Sequence, residues 1–326
     1  MVEGRLGHAR PRVTGSSVRQ PPLLSVIVPA HNAARTLRRA LNSILIQNYS
    51  PIEVIVVDDA STDDTVAVAE EFAAGGVRVI GTGHCRGAAG ARNFGIEQSR
   101  GEFIAFQDAD DEWQPGKLDG QVDLLLRDPA MTFVSCGANL IAPDGRDLGS
   151  LYPGRPPATG SEAWRVLLAY NFVATPSVVA RRGAFAAAGL FNTDLRVGED
   201  QDMWIRLAMA GPIGYLDQSL VRVHDTPNSL SSKNFHDQLT YTLPMIRRHI
   251  GSRREVLSRT EIRQILGTRI GRIGRSALGQ GRLGEGVPLV VKALAMGNSP
   301  VENISKLLRA LLPLAPIKRL FLRPGR

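Results

Sequence analysis

The sequence predicts an α/β fold followed by a helical C-terminal extension, and three observations predict it. Short apolar runs rich in β-branched residues alternate with stretches whose apolar residues recur at helical spacing. The short runs are apolar throughout, the pattern of strands covered on both faces, so a parallel sheet between helices is expected. Beyond about His236 the strand-like runs stop and the chain reads as wholly helical.

The elements follow in order. Leu24–Pro29 (LSVIVP) reads as a buried strand ended by proline. Ala34–Ile46 shows helical spacing at Leu37, Leu41, Ile44 and Leu45. Ile52–Val57 is a second strand, followed by a helical pattern over Val66–Phe72, and Val77–Ile80 is a third. Ala88–Gln98 is helical, Glu102–Phe106 is a strand, and Pro115–Leu126 is a helix with proline near its start. Met131–Cys136 is strand-like again. After Asp144 the pattern loosens, and Gly and Pro cluster around Gly149–Gly160. Two helices (Glu162–Tyr170 and Gln201–Met209) and three short strands (Ser177–Arg181, Ile213–Leu216 and Leu220–His224) complete this part. The expected division is a leader over 1–22, a catalytic-type α/β domain over 23–235 and a basic helical region over 236–326.

Composition bounds the function. The chain has 326 residues, 43% hydrophobic and 21% charged, which is ordinary for a globular protein with a sizeable core. Two cysteines, Cys85 and Cys136, argue against a disulfide framework, so a cytoplasmic setting is expected. The first residues have no apolar run of the kind a secretory signal requires. The net charge of +8 is unevenly spread. From Tyr241 onward there are 17 Lys and Arg against 4 Asp and Glu, so the preceding residues are net acidic. A basic tail of this kind suits an anionic membrane surface or an acidic partner. Nucleic acid is a poor third, because the tail has few aromatic residues.

In open α/β sheets ligands bind beyond the carboxyl ends of the strands. Pro29-Ala30-His31-Asn32 follows the first predicted strand, Asp58-Asp59-Ala60-Ser61 the second, and Gln107-Asp108-Ala109-Asp110-Asp111 the fourth. Ser61 or Thr62 could cap the next helix, and Asp111 could cap the helix at Pro115. Capping leaves Asp58, Asp59, Asp108 and Asp110 unexplained. A hard divalent cation, Mg²⁺ or Mn²⁺, explains the second cluster better, because it takes carboxylate and phosphate oxygens together. In an extended Asp-x-Asp both side chains point to one face, so one can hold the cation while the other reaches a sugar hydroxyl. A third cluster, Glu199-Asp200, stands at a predicted helix start, where carboxylates either simply favour the helix dipole or are placed to act as a general base.

In order and spacing, SVIVPAHN, EVIVVDDAST, GAAGARNFGIEQSRGEFIAFQDADD and GEDQDMWIRLA resemble the family 2 glycosyltransferases over about residues 23–230. The resemblance implies the GT-A fold, with a Rossmann-like, mostly parallel sheet. It implies inverting transfer of a sugar from a nucleotide-diphosphate donor to a hydroxyl of a glycan or lipid-linked acceptor, as in surface polysaccharide synthesis. Pro29, Ala30, His31, Asn32 and Asp59 would hold base and ribose, and Arg92 would lie near the nucleotide or brace the DxD loop. Asp108 and Asp110 match the family's DxD, with Asp110 on the metal. Asp200, beside Glu199, matches the catalytic base, and His224 could complete the metal site. Many members carry Tyr where this chain has His31, which leaves the choice of base open.

Weaker signals remain. Arg222 could pair with phosphates. Trp113 could line the acceptor site, whereas Trp164 and Trp204 belong to the core. Val301, Ile304, Leu307, Leu308, Leu311 and Leu312 form an apolar stripe with basic neighbours, suited either to packing on the domain or to a membrane surface. A nucleotidyltransferase would carry a Gly-rich basic loop after the first strand, and PAHNAAR is not one. An inactive scaffold binding a partner through its basic tail would be expected to have lost Asp110 or Asp200, and both are present.

Overall fold

The computed structural model of the chain describes residues 20–225 and 235–297. Most of the expected leader and the apolar stripe at 301–312 lie outside the described residues.

Among the described residues nine strands form one sheet: β1 Leu24–Ala30, β2 Ile52–Asp58, β3 Val77–Gly81, β4 Phe103–Phe106, β5 Glu112–Trp113, β6 Phe133–Ile141, β7 Asp147–Ser150, β8 Val179–Arg181 and β9 Ile213–His224. Their order is β3-β2-β1-β4-β8-β6-β9-β5, with β7 paired to β6. The helices are α1 Leu37–Leu45, α2 Thr65–Glu70, α3 Gly87–Gln98, α4 Lys117–Arg127, α5 Ala163–Ala169, α6 Arg182–Ala188 and α7 Glu199–Ala210. Beyond residue 234, α8 Phe235–Asp237 runs through a π-helical turn into α9 Leu243–Ser252, and α10 Arg259–Gly279 and α11 Leu283–Ala295 follow. Ser258 and Glu261 close a capping box at the start of α10. Among the described residues no helix is long and apolar enough to cross a membrane.

The α/β class and the helical extension are as expected, but the sheet is mixed. The pairs β1–β2, β2–β3, β1–β4 and β6–β9 are parallel, whereas β4–β8, β6–β8, β6–β7 and β5–β9 are antiparallel. Apolar runs report burial on both faces and say nothing of strand direction, and β8 and β6 are buried on both faces while pairing antiparallel. The two strands expected over Ile213–Leu216 and Leu220–His224 are one, β9, whose pairing with β6 shifts register near Gly137.

Two apolar layers cover the sheet. Leu37, Leu41 and Ile44 of α1 and Leu118, Val122 and Leu125 of α4 pack on one face with Val26, Val28 and Val56. On the other, α3, α5 and α7 pack around Trp204, joined by Met245, Ile246 and Ile265 from the C-terminal helices. Trp113 is fully buried on the first face and its indole N–H donates to the Pro176 carbonyl at 2.8 Å. It therefore belongs to the core and not to an acceptor site, a correction of the sequence expectation. Trp164 and Trp204 are buried as expected.

The helix α3 lies so close to β1 that Gly95 is required: a Cβ there would stand 2.4 Å from Ile27 Cγ2 and 3.1 Å from Val57 Cγ2. Gly95→Ala is expected to destabilise the fold by about 1–3 kcal/mol through overpacking. Gly183→Ala in α6, where the added carbon meets open space, should leave the thermal midpoint unchanged or slightly raised.

Candidate active site

The first and second loops of the sheet interlock. Asn32 and Ala60 adopt left-handed backbone conformations, at φ 51° and 61°. The Asn32 backbone N–H donates to Ser61 Oγ at 3.0 Å, and Asn32 Oδ1 accepts from the Thr62 N–H at 2.8 Å. His31 Nδ1 donates to the Asp59 carbonyl at 2.7 Å, and the Asp59 N–H donates to the Ala30 carbonyl at 2.8 Å. Ser61 and Thr62 thus tie the loops together and do not cap α2, which begins at Thr65. The ring of His31 is left exposed on this platform.

Asp59 is buried, and the chain engages both its carboxylate oxygens. Oδ1 accepts from Thr82 Oγ1 at 2.9 Å and the Arg86 N–H at 2.8 Å, and Oδ2 from the Gly87 N–H at 2.8 Å. Asp59 therefore anchors the loop that leads from β3 into α3.

That helix carries Arg92, whose guanidinium joins the fourth loop to α7. It donates to Asp108 Oδ1 at 2.9 Å and to Glu199 Oε1 at 3.1 Å, with its own side chain only 6% exposed. Burial disfavours its charge, but Asp108 and Glu199 outweigh burial and hold the guanidinium pKa above its ordinary value. Gly198, at φ 87°, turns the chain into α7, and Glu199 and Asp200 occupy the first turn. Asp200 Oδ1 accepts the Gln201 N–H at 2.6 Å, and the Asn171 amide lies 3.4 Å from Oδ2. Burial, then the charge of Glu199, push the Asp200 carboxyl up to about 7, against the Gln201 N–H and Arg92. A carboxyl tuned to neutral pH in a charged cleft is suited to proton transfer.

Asp111 is buried and accepts the backbone N–H of His224 at 3.0 Å. It does not cap α4, whose N-cap is Gly116. Burial and the neighbouring Asp108 and Asp110 push its carboxyl well above the usual range. The short strand β5 explains the meeting: Glu112 and Trp113 pair with Arg222 and Val221, so β9 delivers His224 to the acidic loop. Arg222 lies 3.8 Å from Glu112. His224 Nε2 is buried without a hydrogen-bond partner, 3.5 Å from the Glu112 carboxylate. Burial and Arg39 push the imidazole pKa down, so the ring is neutral at pH 7 and can offer a lone pair. Carboxylate oxygens beside such a nitrogen suit a divalent cation. Among the described residues no three acidic, histidine or cysteine side chains could cage one alone, so phosphate or water oxygens would complete its shell, as Mg²⁺ usually requires.

The sequence profile described as Glycosyl transferase family 2 matches residues 25–184, which hold the first, second and fourth loops. The chain carries a family 2 glycosyltransferase domain.

This glycosyltransferase is 29% identical over 221 residues to the uncharacterized glycosyltransferase RT0329 of Rickettsia typhi, covering 65% of this chain and 68% of that protein. The match spans only 36% of a Rickettsia conorii relative and 37% of a Rickettsia felis one. It is 38% identical over 105 residues to the Escherichia coli UDP-Glc:alpha-D-GlcNAc-diphosphoundecaprenol beta-1,3-glucosyltransferase WfgD, covering 32% of this chain and 42% of that enzyme. Among solved structures, Staphylococcus aureus TarS 1–349 in complex with UDP-GlcNAc superposes with a TM-score of 0.58 at 18% identity, over 88% of this chain and 90% of that one. The mannosyltransferase PcManGT of Pyrobaculum calidifontis, in complex with GDP-Man and Mn²⁺, superposes with a TM-score of 0.51 at 20% identity, over 93% and 88%. The fold is GT-A.

Asn171, Arg39 and Asp111 are site residues that the sequence reading did not assign. Asn171 sits in irregular chain, and Arg39 lies off the apolar face of α1, where nothing in the spacing distinguishes it.

A carboxylic acid raised in the folded state favours folding only while protonated. Its penalty is absent below about pH 4 and complete above about 7. Asp200→Asn is therefore expected to stabilise the glycosyltransferase above pH 7, on the order of 1–3 kcal/mol, and to change little near pH 4. Thermal denaturation at both pH values checks this.

Proposed function

We propose that the chain is a metal-dependent inverting glycosyltransferase in which Asp200 is the general base. The observation that carries this reading is the Asp200 carboxyl, raised to about 7 at the start of α7 and linked through Glu199 and Arg92 to Asp108. The acceptor hydroxyl hydrogen-bonds to the Asp200 carboxylate. Its oxygen bonds to the anomeric carbon while the carboxylate takes the proton. On the opposite face the bond from that carbon to the diphosphate oxygen breaks, and the electron pair leaves with the nucleoside diphosphate. No covalent enzyme intermediate is needed, and the anomeric configuration inverts.

Pro29, Ala30, His31 and Asn32 line the base and ribose side. Asp59 acts there through the loops it fixes, and Arg92 and Asp108 border the diphosphate and sugar. A divalent cation held by Asp110 and His224 would neutralise charge growing on the leaving diphosphate. The names of the similar proteins support the substrate classes: UDP-Glc and a diphosphoundecaprenol-linked sugar for WfgD, UDP-GlcNAc for TarS, and GDP-Man with Mn²⁺ for PcManGT. The reading extends to surface glycan synthesis on a lipid-linked acceptor, with the basic C-terminal part of the chain meeting an anionic membrane surface from the cytoplasmic side.

The test uses UDP-Glc, UDP-GlcNAc and GDP-Man as donors. Turnover of the donor that is consumed should fall as pH drops through about 7, because the base must be ionised. Asp200→Asn should lower turnover by roughly 10²–10⁴-fold while retaining nucleotide binding. Asp110→Ala should abolish the Mn²⁺-dependent part of nucleotide binding measured by calorimetry. Near-normal turnover in Asp200→Asn would overturn the assignment of the base.

A further inference from the structure

One side of α1 carries a line of polar residues that no step of the transfer uses. Arg39, Ser43 and Gln47 follow one another four positions apart, so they stand one above the next along α1 and the turn that ends it. All three bond to the segment that joins the acidic loop to α4. The Arg39 guanidinium donates from Nη2 to the Asp110 carbonyl at 2.5 Å. Ser43 Oγ accepts the Trp113 N–H at 3.0 Å and donates to the Ala40 carbonyl of its own helix at 2.7 Å. Gln47 Nε2 donates to the Gln114 carbonyl at 2.9 Å, and Gln47 Oε1 accepts the Leu118 N–H at 3.4 Å. The line therefore meets residues 110, 113, 114 and 118 in order. From the other side the Gln114 N–H donates to the Leu220 carbonyl of β9 at 2.9 Å, so β5 is held between α1 and β9.

Ser43 and Gln47 are buried and fix the inner end of the segment. Arg39 is half-buried and is the member of the line that reaches the acidic residues. There the Asp111 N–H donates to the Asp108 carbonyl at 3.1 Å, which closes a turn with Asp110 inside it. Asp108, Asp110, Asp111 and Glu112 put four carboxylates into five positions, and their repulsion works to open that turn. Arg39 grips the turn by the main chain of Asp110, and its charge reaches Asp111 and His224 as well. Its Nε is buried without a hydrogen-bond partner among the described residues, an arrangement that stability alone does not favour. The same helix begins directly after the His31–Asn32 platform, where the Leu37 N–H donates to the Ala33 carbonyl at 2.9 Å. The nucleotide side and the acidic loop are thus tied to one rigid element.

A guanidinium in this place acts on a bound cation in two opposite ways. As a charge it repels the cation. As a donor to the Asp110 carbonyl it orders the turn beforehand, and groups that orient metal ligands in this way raise metal affinity about ten- to a hundredfold. The bond is short and aimed at the residue that carries the ligand, so ordering outweighs repulsion. We propose that Arg39 is a positioning residue for the metal loop, holding the Asp110 main chain in the turn that presents the carboxylates to the divalent cation. The proposal rests on the reading of Asp110 and His224 as metal ligands.

The experiment measures by calorimetry the affinity of the full chain for UDP and for GDP at rising Mn²⁺. The Mn²⁺ concentration that gives half of the gain in nucleotide affinity is the readout. Arg39→Met removes the donor and the charge, Arg39→Lys keeps the charge and a donor, and Arg35→Met removes an exposed charge four positions earlier. Arg39→Met should raise the required Mn²⁺ about ten- to a hundredfold, Arg39→Lys should recover much of the loss, and Arg35→Met should change little. Nucleotide affinity without metal should stay at the wild-type value in all three. Arg39→Gln, shorter and neutral, should lose Mn²⁺ affinity likewise and decides the matter if Arg39→Met does not fold. A Mn²⁺ requirement that is unchanged in the Arg39 variants, or lowered as loss of a repelling charge would lower it, overturns the proposal and leaves the metal reading standing. Equal loss of metal-free nucleotide affinity would mean that α1 as a whole had loosened, and overturns it too. A wild type whose nucleotide binding is indifferent to Mn²⁺ overturns the metal reading, and the proposal falls with it.

Discussion

The site depends on one buried cation. Arg92 takes a carboxylate from each of two chain segments, Asp108 after β4 and Glu199 at the start of α7. These segments would otherwise repel each other, since Asp200 and the rest of the Asp108–Asp111 loop add further negative charge. Breaking such a buried bridge by removing one partner is more damaging than its net worth suggests, because it strands the remaining charges. The close approach of α3 to β1 and β2 at Gly95 sets the height from which Arg92 reaches across. The Asp59 anchor fixes where α3 begins. Packing of the sheet, geometry of the loops and electrostatics of the cleft are therefore linked through one side chain.

The C-terminal helices take part in this arrangement. Asp202, two residues beyond Asp200, accepts from His249 of α9 at 2.8 Å and from Arg206 at 2.8 Å. Burial would raise its pKa, but the His249 hydrogen bond and Arg206 outweigh burial and hold it below the ordinary range. Arg269 of α10 reaches Gln201. The helix that presents Asp200 is thus gripped from behind by residues that follow the sheet in sequence, and the apolar core runs without a break from Trp204 to Ile246 and Ile265. A helix terminus braced in this way can hold a carboxylate in a fixed position, which proton transfer requires.

Much of this was legible in the sequence, and the reasons differ by element. The four parallel strands and α1 were readable because Val26, Val28, Leu37, Leu41 and Ile44 follow simple periods. The acidic loops stood out because Asp108, Asp110 and Asp111 have no local reason to crowd together. Strand direction was not readable, because burial of β8 and β6 is the same in either direction. Nor was β5: two residues carry no period, yet they bring His224 to Asp111. Trp113 stood beside the acidic cluster in sequence, but its alternation along β5 turns it into the core. The brace from Arg269 to Gln201 was invisible too, since Arg269 sits in a helix of ordinary composition.

The central claim is that the carboxylates gathered by Arg92 tune Asp200 to neutral pH. It is tested most directly by the pH profile of kcat/KM in Glu199→Gln. That change keeps a hydrogen-bonding side chain beside Arg92 while deleting the charge that, after burial, contributes most to raising Asp200. The account predicts that the acidic limb moves from about 7 to lower pH with the folded structure intact. An acidic limb left where it is in the wild type would contradict it.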